Sequence, residues 1–232
     1  MPNTMPNIMN RSKLRLFLDT ADTEAWKTWL PTGLFYGVTT NPLLLERAGV
    51  SCTFESLSNL ANLALTLGAQ NVQLQTWGET TEEMVSIGAT LAKMSDRITI
   101  KIPLTLAGIN ASQALRSANI SITLTAAYAH HQVILADAVS AHYVAPYLGR
   151  MNDLGSNGCT EISNMQRSLN ALGSQTRILV ASIRTVEDIT SLTMNGLDTF
   201  TFSPAIAQAL FDVPATQKAV TEFQRAALAM QK

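Results

Sequence analysis

The chain has 232 residues, of which 47% are hydrophobic and 14% charged, with a formal net charge of −1. That apolar content supplies a large core and argues against disorder, and the absence of a basic run or basic–aromatic stripe argues against nucleic acid as a partner. No stretch of about 18 apolar residues occurs, so no membrane helix is expected.

Residues 1–13 are polar, carry Met1, Met5 and Met9, and lack the apolar stretch and small-residue cleavage site of a secretory signal. They read as a flexible N-terminal tail or a mis-set start, with the folded part expected over 14–232. The cysteines, Cys52 and Cys159, show neither CxxC spacing nor a nearby His at ligand spacing, and read as reduced thiols of a cytoplasmic protein.

From residue 14 onward, short β-rich runs alternate with longer helical ones. Strands are expected at 14–18, 34–39, 71–75, 98–102, 120–125, 142–146, 177–181 and 199–202, most of them nearly continuous apolar runs. Helices are expected at 53–67, 80–95, 126–139, 159–172, 185–194 and 214–230. The segment from Thr80 opens Thr-Thr-Glu-Glu, a cap followed by acidic first-turn residues, and Met84, Ile87, Leu91 and Met94 follow helical spacing. Gly68, Gly173 and Gly196 stand where helices should stop. Strand-then-helix order implies right-handed crossovers and a parallel sheet. The first strand ends Leu18-Asp19-Thr20, without the Gly-x-Gly-x-x-Gly turn of an open dinucleotide fold. The expectation is an α/β fold, a single-domain (β/α)8 TIM barrel with a C-terminal helix.

In a barrel the chemistry gathers at the C-terminal ends of the strands. Those ends carry Asp19, Thr39-Thr40-Asn41-Pro42, Gln75, Lys101, Thr123 with Thr125, Tyr147 with Arg150, and Ser182 with Arg184. Lys101 lies between Ile100 and Ile102 on strand 4 and must point either inward or toward the helices. A buried ammonium either pairs with a carboxylate such as Asp19 or loses its proton, and the neutral amine attacks carbonyls to form Schiff bases. Asp22 directly precedes Thr23-Glu24 and is the better helix cap, which frees Asp19 as a general acid/base. Thr39 and Asn41 read either as a turn with a Pro-initiated helix or as partners of substrate hydroxyls. Arg150, Ser182 and Arg184 read either as solvated surface or as a phosphate site in the late quadrant of the barrel. Neighbouring His130 and His131, on the helix expected at 126–139, cannot face one ligand, so neither metal binding nor His catalysis is expected.

Leu18-Asp19-Thr20-Ala21-Asp22, Gly37-Val38-Thr39-Thr40-Asn41-Pro42 and Ile100-Lys101-Ile102-Pro103 together resemble the transaldolase family, nearest its small branch that includes fructose-6-phosphate aldolase. Tyr143-Val144-Ala145-Pro146-Tyr147 with Arg150, and Ala181-Ser182-Ile183-Arg184, continue the resemblance in order, so that it spans about residues 14–231. The resemblance implies that Lys101 forms the Schiff base, that Asp19 moves the hydroxyl proton, and that Gln75 and Thr125 serve the catalytic water. It implies that Asn41 contacts a dihydroxyacetone unit and that Arg150, Ser182 and Arg184 hold phosphate. It implies sugar-phosphate substrates, no metal or organic cofactor, and a homo-oligomeric ring built through the C-terminal helix. Gln75, Ala145 and Tyr147 are choices of the aldolase branch, and a Tyr147 hydroxyl near the enamine favours water activation. Arg184 is a transaldolase-like choice. The implied activity is transaldolase in the pentose phosphate pathway, with fructose-6-phosphate aldolase as the alternative.

Overall fold

In the computed structural model, residues 13–231 are described. The tail expected at 1–13 thus lies, except for Lys13, outside the described residues. The strands are β1 (Arg15–Asp19), β2 (Gly37–Thr39), β3 (Asn71–Gln75), β4 (Ile98–Pro103), β5 (Ile122–Ala127), β6 (Tyr143–Pro146), β7 (Arg177–Ile178) and β8 (Thr199–Phe202). The first helices are α1 (Thr23–Trp29), α2 (Pro42–Arg47), α3 (Phe54–Thr66), α4 (Thr81–Ala92), α5 (Leu106–Ser117) and α6 (Gln132–Ala138). The later ones are α7 (Leu148–Asp153), α8 (Gly158–Leu172), α9 (Val186–Met194), α10 (Pro204–Ala209) and α11 (Pro214–Ala229).

All strand pairs are parallel, with β1 lying between β2 and β8 and the order running on from β2 to β7. The ring is closed between β7 and β8 by a single bridge: Val180 N donates to Thr199 O at 3.0 Å, and Thr201 N donates to Val180 O at 2.8 Å. This is the expected (β/α)8 barrel.

Side-chain alternation divides each strand between two environments. Leu18, Val38, Leu74, Ile100, Ile102, Leu124, Val144 and Phe200 belong to the large core shared with the helices. Phe17, Tyr143, Ala145 and Leu179 form a separate small cluster, with Tyr36 packed on it. Because Ile100 and Ile102 take the helix side, Lys101 between them faces the barrel interior.

Local sequence sets the helix ends. Asp22 caps α1, its Oδ1 accepting from Glu24 N at 2.9 Å, and Trp26, fully buried, donates from its indole to Thr20 O at 3.1 Å. Thr80 and Glu83 form a reciprocal capping box at α4. Gly173 closes α8 at φ 64°.

Several boundaries differ from the sequence expectation. The helix expected at 126–139 begins only at Gln132, because β5 continues through Ala127, with Ala126 at φ 61° and an irregularity against β6. His130 and His131 therefore stand in the turn entering α6, with His130 Nε2 2.8 Å from Ser168 Oγ. The strand expected at 34–39 is regular only from Gly37, and Leu34 is 49% exposed. The run expected at 177–181 is regular only over Arg177–Ile178 and continues by single bridges at Val180 and Ala181. Helices α5, α7 and α10 have no counterpart in the sequence reading. In α5 much of the run is small residues, and Gly108 allows close approach to β4: a Cβ there would fall 1.9 Å from Pro103 O.

Candidate active site

A cavity of about 220 Å³ opens at the C-terminal ends of the strands. Its wall includes Asp19 from β1, Lys101 from β4, Tyr147 and Arg150 from the β6 end, and Ser182 after β7.

Lys101 is 4% exposed, and its Nζ donates to Thr40 O at 2.8 Å. Burial pushes its pKa below the ordinary lysine range, and the Asp19 carboxylate opposes that shift. The amine is thereby nearer the neutral, nucleophilic form than a solvated lysine. Of the two readings of a buried lysine, Asp19 is close enough to act electrostatically, but no ion pair joins the two among the described residues.

Asp19 Oδ1 accepts from Thr39 Oγ1 at 2.6 Å, and Thr39 Oγ1 lies 2.6 Å from Thr201 Oγ1 on β8. Thr39 is fully buried. Its hydroxyl serves the carboxylate and β8, and Thr39 is not on the cavity wall. Asn41 is both the turn residue and a wall residue: its Oδ1 caps α2 by accepting from Leu44 N at 3.0 Å, with Pro42 in the first turn.

Gln75 stands opposite Lys101 in the β3–β4 register, half-buried and off the cavity wall. Thr125 is buried at the end of β5, its Oγ1 2.9 Å from Tyr147 Oη. The left-handed Ala126 follows directly, and the β5–β6 register shifts there, beside the site, before pairing resumes at Ala127 opposite Pro146. Burial pushes the Tyr147 phenol above its ordinary pKa, and the Thr125 hydrogen bond opposes this. Tyr147 thus remains a proton-bearing hydroxyl at neutral pH. The Arg150 guanidinium lies 5.1 Å from the centre of its ring, and Tyr128 meets that ring edge-on at 5.6 Å. Tyr143, the other tyrosine of that motif, is 4% exposed and belongs to the interior cluster.

Ser182 adopts φ 58°, a left-handed conformation that a non-glycine residue seldom takes. It is held by α7, since Gly149 N donates to Ser182 O at 2.9 Å. Only glycine permits this approach: a Cβ at Gly149 would lie 2.6 Å from Ser182 O and 2.5 Å from Arg184 Nε. Arg184 itself turns away from the cavity. Its guanidinium grips Asp153 with two hydrogen bonds, one of 2.7 Å, and this holds the Asp153 carboxyl below its ordinary pKa. The structure therefore gathers Asp19, Asn41, Lys101, Tyr147, Arg150 and Ser182 on one wall. Thr39 and Thr125 hydrogen-bond the wall residues Asp19 and Tyr147, Gln75 stands beside Lys101, and Arg184 stays outside.

Sequence reasoning missed three contributors. Thr201 lies in Thr199-Phe-Thr-Phe, where two buried phenylalanines alternate with threonines, a pattern that marks the inward positions. Tyr128 follows β5 and carries no strong sequence signal. Arg47, in the last turn of α2, lines the cavity as a second arginine beside Arg150.

A family model described as Transaldolase/Fructose-6-phosphate aldolase matches residues 16–232. A protein of Hyphomonas neptunium named probable transaldolase is 33% identical over 210 residues, covering 90% of this chain and 95% of its own. One from Roseobacter denitrificans with the same name is 31% identical over 210 residues, covering 90% of this chain and 94% of its own. Among solved structures, a mandelate oxidase variant with bound 2-hydroxy-phenylacetamide superposes with a TM-score of 0.59 at 13% identity. That match covers 83% of this chain and 65% of the other, and it speaks to the fold alone.

Proposed function

Since the chain belongs to the transaldolase/fructose-6-phosphate aldolase family, we propose that it is a transaldolase, moving a dihydroxyacetone unit between sugar phosphates through a Schiff base on Lys101. The observation that carries this reading is the lysine itself: 4% exposed, shifted toward the neutral amine by burial, and sharing a cavity wall with Asp19.

Lys101 Nζ adds to the C2 ketone of fructose 6-phosphate or sedoheptulose 7-phosphate, and loss of water leaves a protonated imine. Asp19 takes the proton from the C4 hydroxyl. The C3–C4 bond breaks, its electrons pass into the iminium, and an aldose phosphate leaves. The dihydroxyacetone enamine on Lys101 then attacks a second aldehyde, with Asp19 returning its proton to the new hydroxyl, and water releases the product ketose. The iminium acts as the electron sink, so the reading needs no metal or organic cofactor. Asn41 orients the dihydroxyacetone end. Arg150 and Ser182 receive phosphate, and Arg184 joins them on release from Asp153. Gln75 and Thr125 serve the water that forms and cleaves the imine.

A second reading is the lyase, fructose-6-phosphate aldolase, which releases free dihydroxyacetone. The Thr125–Tyr147 hydroxyl pair at 2.9 Å favours it, because a tyrosine hydroxyl at the site can activate water against the enamine intermediate. The two are separated by following glyceraldehyde 3-phosphate made from fructose 6-phosphate, with and without erythrose 4-phosphate. Product only with the acceptor supports the transferase. Product without it, with free dihydroxyacetone, supports the lyase.

The same reading places the enzyme in the cytoplasm and the pentose phosphate pathway, as a ring of subunits. Its cysteines are unpaired, and no described helix is long and apolar enough to cross a membrane. Helix α11 has no buried residue and exposes Val220, Phe223 and Leu228, an apolar face suited to a neighbouring subunit.

A further inference from the structure

We infer that Thr201 is a positioning residue for Asp19, fixing the direction of a buried hydroxyl chain that runs from β8 through Thr39 to the carboxylate. This deepens the proposed function and rests on Asp19 being the base.

Hydrogen-bond valence fixes the direction of this chain. The Thr39 hydroxyl has a single proton and lies 2.6 Å from both Asp19 Oδ1 and Thr201 Oγ1. A carboxylate can only accept, so Thr39 gives its proton to Asp19. Thr39 then has only lone pairs to offer Thr201, and Thr201 must donate to it. Thr39 is fully buried and Thr201 is 2% exposed, so bulk water competes little at either oxygen.

Barrel topology makes the chain possible. β1, which carries Asp19, lies between β2 and β8, and inward residues of those two flanking strands meet beside it. Loss of the Thr201 hydroxyl frees Thr39 to rotate and weakens its bond to the ionised carboxylate. The carboxylate is then less firmly held in the direction from which it meets the substrate hydroxyl.

The test compares Thr201→Val, nearly the same shape without the donor, with Thr201→Ser, which keeps the donor without the methyl. In Thr201→Val, kcat is expected to fall about tenfold with KM little changed. Thr201→Ser should restore kcat. Borohydride trapping of dihydroxyacetone on Lys101 should persist in each variant, because it precedes any carbon–carbon step. Thr39→Val, which removes the middle hydroxyl, should lower kcat with KM little changed in the same way and keeps the inference testable if Thr201→Val does not fold. An unchanged kcat in the valine variants, or a serine variant as impaired as the valine one, would overturn the inference. Failure of wild-type protein to form the Lys101 adduct would instead overturn the underlying reading.

Discussion

Gly149→Ala offers a sharp test of how the backbone positions the cavity wall at Ser182. The added Cβ would stand 2.6 Å from Ser182 O, against the 3.4 Å at which ordinary contact begins. The Ser182 carbonyl must therefore retreat by about 0.8 Å, or α7 must shift by as much. Arg184 Nε, at 2.5 Å, belongs to a long side chain and can swing aside. The serine cannot yield so easily, since its left-handed backbone is already constrained and its carbonyl accepts from Gly149 N. A misplacement of about 1 Å at a positioning group costs up to about 100-fold in rate. The expected result is a fall of about 10- to 100-fold in kcat/KM for phosphorylated sugars. Trapping of unphosphorylated dihydroxyacetone on Lys101 should change far less. Steady-state assays with fructose 6-phosphate beside borohydride trapping with dihydroxyacetone would measure both. A Gly149→Ala enzyme with wild-type kcat/KM on the phosphorylated substrate would refute the claim that this contact sets the site.

Asp19→Asn should lower turnover by about 10²- to 10⁴-fold, while Lys101 remains trappable with dihydroxyacetone. The carboxylate raises the Lys101 pKa, so its loss should extend trapping to lower pH, and a loss of trapping at every pH would contradict this. Lys101→Met should stabilise the fold near neutral pH. A lysine whose folded pKa lies below its unfolded value of about 10.4 opposes folding by the full amount below the folded value and less as pH rises toward the unfolded one. Denaturant midpoints for wild type and variant should accordingly converge with rising pH, and a constant gap would count against a depressed lysine. Tyr147→Phe removes the hydroxyl that faces Thr125 and should lower the ratio of free dihydroxyacetone released to dihydroxyacetone transferred. An unchanged product ratio would remove the tyrosine from the partition. Val220→Glu with Phe223→Glu on α11 should convert a ring to monomers by light scattering, and a wild-type protein already monomeric would contradict the ring.

Most of the barrel was legible because its strands are apolar and its helix ends carry explicit signals, such as the Thr80–Glu83 box and Gly173. The inward direction of Lys101 was open in the sequence, since isoleucines on both sides suit either face, and the partition of Ile100 and Ile102 into the outer core decides it. The helix over 126–139 was misjudged because Ala126, helix-favouring by type, is held at positive φ where β5 runs on. Thr39 is open in the sequence between a turn residue and a partner of substrate hydroxyls, and its hydroxyl contacts to Asp19 and Thr201 run between strands, which local sequence cannot express. The resting position of Arg184 was equally out of reach, because Asp153, 31 positions away, holds it.

The most direct test of the central claim is borohydride trapping with dihydroxyacetone, followed by peptide mass spectrometry, on wild type and Lys101→Met. The expected result is a single reduced adduct on Lys101 in the wild type and none in the variant. An adduct on another lysine, or activity on fructose 6-phosphate surviving in Lys101→Met, would contradict it.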